Sequence, residues 1–437
     1  MADLKQIARR IFAETLAAID IPAAMRRKLA RAGTRIRCGD EEIDLAGFER
    51  ILAIAIGKAG FGMASALCDV LAPEFHASGI LAIPVAPPRE LPGFRTFLAG
   101  HPVPNAASLA AGRAALDLLA DSNERTLVFF LLSGGGSALC EAPLDPATSL
   151  EDIQQLNRVL VTCGAPIDDI NAVRKHLSAV KGGRLAAAAP RAMKITLGVT
   201  DVPAGRESAL ASGPTLPDPT VVGDMFRVVE KYNLLSRLPQ SIRGKFEKRN
   251  AIPETPKADD PAFAHAHFSL LLGMHDLFHH AHRAAEAAGF VTVCDNSTDD
   301  WSLTRAADAL LERLTELKRQ NPGRPACVIA DGELSCPVTG DGIGGRNSAF
   351  ALCCAEKIAG KNIAVLSAGT DGVDGNSPAA GAVADGETLG HAHEARLDPQ
   401  EYFGRSDSYT FFHSLGDTVE TGPTGNNLRD LRILLVE

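Results

Sequence analysis

Short, unbroken apolar runs that each stop at a glycine-rich or aspartate-bearing loop are what most limits the folds open to this chain. Residues 51–56 end at Gly57-Lys58-Ala59-Gly60, and residues 126–132 end at Ser133-Gly134-Gly135-Gly136-Ser137. Residues 194–199 run into Thr200-Asp201-Val202-Pro203, and residues 363–367 into Ala368-Gly369-Thr370-Asp371-Gly372-Val373-Asp374-Gly375. Runs of this length, apolar at most positions, read as strands buried on both faces. The segments between them carry helical spacing, as in 61–71 and in 105–120, where Asn105 stands as an N-cap. Strands alternating with helices predict an α/β fold built on a mostly parallel sheet with helices on both faces.

The pattern breaks between 238 and 261, where charges and Pro253, Pro256 and Pro261 interrupt the periodicity. The reading is therefore two α/β lobes with a cleft between them: an N-terminal domain over 1–237, a linker over 238–262 and a C-terminal domain over 263–437. The second lobe is predicted to hold helices at 275–288 and 300–319 and strands at 327–330, 363–367 and 433–436. Leu4, Ile7 and Ile11 predict a surface helix at the start, with charges that interrupt any signal-peptide core. A length of 437 residues suits two domains. The net charge of −9 argues against a general nucleic-acid binder, and no run reaches 18 apolar residues, so no membrane span is expected. Nine cysteines without a Cys-x-x-Cys pair read as reduced thiols of a cytoplasmic protein.

The loops supply the chemistry. Lys58, at the end of a buried strand and beside a helix start, is placed to hold an anion. Gly134, Gly135 and Gly136, flanked by Ser133 and Ser137, allow a backbone nest for phosphate or carboxylate, and no Gly-Lys-Ser/Thr makes this a Walker A loop. Arg174, Lys175, Lys181 and Arg184 form a dense cationic stretch that reads either as a solvated face or as an anion clamp. Asp201 is a natural metal ligand or base, and also a natural helix cap. Gly340-Asp341-Gly342-Ile343-Gly344-Gly345 formally matches G-x-G-x-x-G but lacks the later acidic residue of a dinucleotide site, so Arg346 after it is the stronger phosphate contact. Asp371 and Asp374 suit Mg²⁺ or hydroxyl recognition, or a plain turn. His275, His279, His280 and His282 lack a His-Glu-x-x-His pattern, and no Gly-x-Ser-x-Gly elbow is present, which disfavours a zinc site and a serine hydrolase.

Taken in order, Gly57-Lys58-Ala59, Gly100-His101-Pro102-Val103-Pro104-Asn105, the Ser133–Ser137 loop, Asn171 to Gly183, Thr200-Asp201-Val202-Pro203, Ala211-Ser212-Gly213-Pro214-Thr215, Gly344-Gly345-Arg346-Asn347, Asp371 to Gly375 and Thr421-Gly422-Pro423-Thr424-Gly425 resemble the type II glycerate kinases. That family carries a C-terminal MOFRL domain and has often been labelled hydroxypyruvate reductase. The resemblance implies a Rossmann-like N-terminal domain, a MOFRL-type α/β C-terminal domain, and ATP-dependent phosphorylation of D-glycerate to 2-phosphoglycerate between them. It makes Lys58 and Arg346 the catalytic cations, with Asp201 as the third catalytic group. Ser133, Gly134, Gly135, Gly136, Ser137, His101, Asn105, Asn171, Arg174, Lys175, Asp371 and Asp374 become nucleotide- or substrate-binding residues. Asp201 and Asp371 are the expected Mg²⁺ ligands, and ATP and a small hydroxy acid the partners, with homo-oligomerisation open. Polar residues common in the family are replaced at Ala204-Gly205-Arg206-Glu207 and Ser348-Ala349. Two other readings follow: a nicotinamide-dependent hydroxypyruvate reductase, and a metabolite-binding protein without turnover.

Overall fold

The computed structural model describes residues 3–39, 41–200, 202, 205–247, 252–426 and 428–437. They form two compact units, one continuous from Ile21 to Leu272 and the other made of Met1–Asp20 with Gly273–Glu437.

The continuous unit opens with a small antiparallel sheet of β1 (Leu29–Ala32), β2 (Arg35–Cys38) and β3 (Glu41–Asp44). Its main sheet holds β4 (Arg50–Ile56), β5 (Ala77–Ile83), β6 (Phe94–Leu98), β7 (Thr126–Leu132), β8 (Met193–Val199) and β9 (Ala266–Leu272). All are parallel, in the order β6-β5-β4-β7-β8-β9. Counted from β4, this is the doubly wound order 3-2-1-4-5-6, whose direction of winding reverses between β4 and β7. Every residue of β7 is buried, including Phe129 and Phe130, as helices on both faces of a parallel sheet require. The helices Gly60–Leu71 and Ala106–Ala120 and the strand β4 fall where their apolar patterns placed them, and Asn105 caps the second helix.

The expected linker is not one. Residues 240–247 are a helix, and Leu238, Ile242, Phe246 and Ile252 pack into a core with Leu160, Val173 and Met225. Beyond it, Arg184 donates to the carbonyls of Pro253 and Glu254, and Lys257 Nζ donates to Thr220 O at 2.5 Å. The prolines break periodicity, but Arg184 of the cationic stretch binds the backbone between them, and Lys257 ties the segment back to Thr220. The break between units therefore falls after β9, at 272/273, not at 238–262. Residues 248–251 lie outside the described residues.

The other unit has β10 (Val291–Asp295), β11 (Ala326–Asp331), β12 (Ile363–Gly369), β13 (Gly381–Asp385), β14 (Thr418–Val419) and β15 (Asp430–Val436), in the order β10-β11-β15-β12-β13-β14. Only β10 and β11 pair in parallel; the rest of this sheet is antiparallel. The helix Leu4–Ala18 belongs here and not to the sequence that follows it. It buries Leu4, Ala8, Ile11 and Phe12, and Lys5 Nζ lies 2.7 Å from Asp417 and 3.2 Å from Asp385. Arg9 donates to Thr418 O at 2.7 Å.

Candidate active site

In the continuous unit, the reversal point of the sheet is where the ends of β4 and β7 meet, and the two glycine loops leave from there. They are tied together by the backbone. Ser133 N donates to Ile56 O at 2.9 Å, Lys58 N to Gly134 O at 3.0 Å, and Ala59 N to Ser133 Oγ at 3.0 Å. Gly57 has φ +126°, and a Cβ there would stand 2.2 Å from Ser133 Oγ. Ser133 is fully buried and its hydroxyl serves Ala59, so it fastens the loops and does not face a ligand as expected. What the fastening leaves open is the next stretch. Among the described residues, nothing accepts from the N–H groups of Gly134, Gly135, Gly136 and Ser137. Four consecutive donors without an acceptor leave a stretch of backbone able to act as an anion nest.

Around the nest the packing leaves no room for side chains. A Cβ on Gly135 would sit 2.9 Å from His101 Cδ2, and one on Gly136 would sit 2.6 Å from Ala211 Cβ. The His101 imidazole is held below its ordinary pKa, first by desolvation against this loop and then by the charge of Lys58. Lys58 itself leaves the backbone beside the nest, its N–H donating to Gly134 O. Ala211 and Ser212 both take left-handed backbone, φ 50° and 61°, at a cost of about 1–2 kcal/mol each. The strained turn is braced by Gly182 N donating to Ser212 O at 3.0 Å and Gly183 N to Gly213 O at 2.7 Å. It carries the buried Ser212 hydroxyl between Ser137 Oγ, at 2.8 Å, and Asn171 Oδ1, at 3.0 Å.

Helix Ile167–Leu177 thus brings Asn171 to the nest, but its cations do other work. Lys175 is 3% exposed and its Nζ lies 3.1 Å from Asp218 Oδ1, so the expected ligand contact is an internal ion pair. Arg174 donates from Nε to Asn157 Oδ1 at 2.9 Å. Lys181 pairs with Glu141, which also accepts from Ser178 Oγ at 2.5 Å, all buried. Asn105 is consumed by capping: Oδ1 accepts from Ser108 N, and Nδ2 donates to Leu98 O at 3.2 Å. Asp201 lies outside the described residues.

The next residue, His176, gives this unit a pH dependence. It is fully buried, Nδ1 lies 2.7 Å from Ala172 O, and among the described residues Nε2 has no hydrogen-bond partner. Desolvation lowers its pKa, and the charge of Lys257 adds to that; the Ala172 carbonyl, Asp218 and Glu254 pull the other way without prevailing. A histidine with a depressed folded pKa binds a proton more readily when unfolded, so stability falls as pH drops below about 6.5. Melting temperature measured from pH 8 to pH 5 should show this decline, shallower in His176→Gln. Equal slopes in the two proteins would remove His176 from the account.

In the other unit, Arg346 opens the helix Arg346–Ile358. Its Nε donates to Asp430 Oδ2 at 2.5 Å and its Nη1 to Glu333 Oε2 at 2.9 Å. Desolvation alone would lower the guanidinium pKa, but Asp430 and Glu333 outweigh it and hold it above the ordinary value. Asp374 is not the loop ligand expected of it. It is buried and accepts from Asn347 N and Ser348 N at 2.9 Å each, satisfying the helix start with a protein carboxylate. Asp371 is half-buried and its Oδ1 accepts from Val373 N at 3.1 Å. The G-x-G-x-x-G match also dissolves. A Cβ on Gly340, Gly342 or Gly344 would come within 2.6 Å of Arg405, Asp407 or Ser408 respectively, so those glycines admit protein, not a pyrophosphate. Asp430 escaped the sequence reading because it starts a strand, and Glu333 because only the single Gly332 marks its loop. Ser212 was visible only as a member of the Ala211–Thr215 motif.

Residues 7–247 match the family described as a domain of unknown function, DUF4147, and residues 326–430 match the MOFRL family. The chain is 35% identical over 403 residues to the D-glycerate 2-kinase of Thermotoga maritima, covering 92% of this chain and 94% of that protein. It is 32% identical over 441 residues to the glycerate 2-kinase of Pyrococcus horikoshii, covering 99% and 98%. A putative hydroxypyruvate reductase of Agrobacterium vitis is 33% identical over 440 residues, covering 99% and 94%. The crystal structure of glycerate kinase from Thermotoga maritima superposes with a TM-score of 0.81 at 32% identity, covering 99% of each chain.

Proposed function

The chain belongs to the DUF4147–MOFRL family of glycerate kinases and is a phosphotransferase, and we propose that it moves the γ-phosphoryl group of ATP to D-glycerate, giving 2-phosphoglycerate. The observation that carries this reading is the near full-length identity to two glycerate 2-kinases, which names reaction and substrate together. The geometry supplies a physical route. Phosphoryl transfer spreads negative charge over equatorial oxygens, and fixed cations and backbone donors stabilise it. In the continuous unit, the nest of Gly134 to Ser137 receives an anionic group of nucleotide or substrate, and Lys58 neutralises charge beside it. Arg346, braced by Asp430 and Glu333, is the second cation, and Asp201 the third catalytic residue.

Mg²⁺ would supply charge neutralisation on the nucleotide phosphates, and such an ion needs only one or two protein carboxylates. Among the described residues no group of three or more acidic, histidine or cysteine side chains is arranged around a common point. We assign Asp201 and Asp371 as the carboxylates that would hold such an ion. No helix among the described residues is long and apolar enough to cross a membrane.

The reductase reading rests on the names of relatives alone, and the close packing of Gly340 to Gly344 against Arg405 to Ser408 leaves its glycine motif without a cofactor role. The test is ADP release from Mg-ATP with D-glycerate, followed by ³¹P NMR of the product. The expected result is stoichiometric 2-phosphoglycerate. NADH consumption with hydroxypyruvate, and no ADP with D-glycerate, would reverse the assignment.

A further inference from the structure

We propose that Ser137 is an acceptor-only group that receives a hydroxyl hydrogen of the hydroxy-acid substrate, and that Ser212 and Asn171 are the positioning residues that make it so. This rests on the kinase reading above and adds the polarity of one substrate subsite.

The inference follows from counting hydrogens along a three-residue relay. Ser212 is 1% exposed and has one hydroxyl hydrogen. That hydrogen goes to Asn171 Oδ1 at 3.0 Å, an amide oxygen with none to return. Ser212 Oγ also lies 2.8 Å from Ser137 Oγ, and a contact that short between hydroxyls needs a hydrogen between them. The Ser212 hydrogen is spent, so the hydrogen in that contact is Ser137's. Ser137, which is partly exposed, therefore turns its hydrogen inward and presents only lone pairs outward. Lone pairs repel phosphate and carboxylate oxygens and attract donors. The anionic groups are instead served by the adjacent N–H groups of Gly134 to Ser137. A row of anion donors beside one acceptor is the complement of a molecule with a carboxylate or phosphate next to a hydroxyl. Left-handed Ala211 and Ser212, braced by Gly182 and Gly183, hold the relay in this register.

The experiment measures D-glycerate and MgATP KM, the Mg²⁺ dependence, and competitive inhibition by lactate and 3-hydroxypropionate, each of which lacks one hydroxyl of glycerate. In Ser137→Ala the D-glycerate KM should rise about tenfold, the size of one hydrogen bond. The analogue lacking the received hydroxyl should bind as it does to the wild type, and MgATP KM should stay put. Ser212→Ala, which frees the Ser137 hydrogen, should raise the D-glycerate KM in the same selective way. Asn171→Asp keeps an oxygen for Ser212, so it should preserve the preference between D-glycerate and the two analogues even though its added charge weakens all three. Equal weakening of glycerate and both analogues in Ser137→Ala, a raised MgATP KM, or an altered Mg²⁺ requirement would overturn the assignment. A wild type that releases no ADP with D-glycerate would defeat the kinase reading instead. The Ser137 assignment would then be judged by calorimetric titration of D-glycerate into wild type and Ser137→Ala, where equal binding, or none, overturns it.

Discussion

Lys58→Ala should lower kcat for D-glycerate phosphorylation by about 10²-fold or more while leaving the protein folded, the size of effect seen when one preorganised electrostatic group is removed. The backbone of Lys58 is pinned by its N–H to Gly134 O, so the side chain leaves from a fixed point beside the nest. Its charge is felt at His101, across the same loop. Loss of the ammonium leaves the developing charge on the phosphoryl oxygens with fewer partners, whereas the fold keeps every backbone tie between β4 and β7. Melting temperature should therefore barely move, since substitutions at such partly exposed positions usually change stability by about 0.5 kcal/mol or less. Lys58→Arg should not restore full turnover, because a planar fork cannot occupy the place of a compact ammonium next to Gly57. Arg346→Ala is the less clean companion. It also strips the partner from Asp430, whose side chain is 5% exposed, so lost activity there arrives mixed with lost stability. Near-normal kcat and KM in Lys58→Ala would return this lysine to a solvated turn residue.

The largest effect on stability is expected from Lys181→Met. Lys181 and Glu141 are paired with side chains 2% and 7% exposed, and removing one member leaves a buried carboxylate that, among the described residues, accepts hydrogen bonds only from Ser178 and its own following amide. Breaking such a pair typically destabilises by about 3–5 kcal/mol. At about 2–4 °C per kcal/mol for a unit of this size, the melting temperature should drop by roughly 10 °C. Lys181→Met with Glu141→Gln should recover much of the loss, because the stranded charge is then gone. The exposed pair Arg35–Glu42, with side chains 68% and 59% accessible, is the internal comparison: Arg35→Met should shift stability by less than about 1 kcal/mol. If the two single variants melted alike, burial would not be what gives the Lys181 pair its weight.

How much of this was readable beforehand depends on the range of the interactions. The strands at 51–56 and 126–132 announce themselves because a strand covered on both faces must be apolar at every position. Their loops follow, since only glycine tolerates the φ of +126° at Gly57 or the approach of Ala211 to Gly136. The fate of a charge is different, because it is decided by residues distant in sequence. Lys175 and Arg174 stand side by side, yet one is buried against Asp218 and the other bonded to Asn157. Asp374 looked like a ligand in a flexible loop and is instead the cap of the Arg346 helix. Periodicity misled at 238–262 for a related reason: prolines end helices without ending a domain, and Arg184 and Lys257 supply the hydrogen bonds that keep the segment packed. The strand β9 was hidden by His265 and His267, polar residues at the edge of a sheet, where one side of the strand has no neighbour.

The first helix carries a consequence for biosynthesis. Leu4–Ala18 is translated long before the strands it covers, β12, β13 and β15. About 250 residues, a whole folding unit, are translated in between. At roughly 5–20 residues per second, the apolar stripe of Leu4, Ala8, Ile11 and Phe12 waits on the order of 20–80 seconds for its partner surface. Lys5 and Arg9, which pair with Asp417 and the Thr418 carbonyl in the folded unit, wait with it, and Arg10 stays hydrated throughout. The nascent chain thus carries an unsatisfied amphipathic segment, a natural hand-hold for chaperones, until β12, β13 and β15 are made.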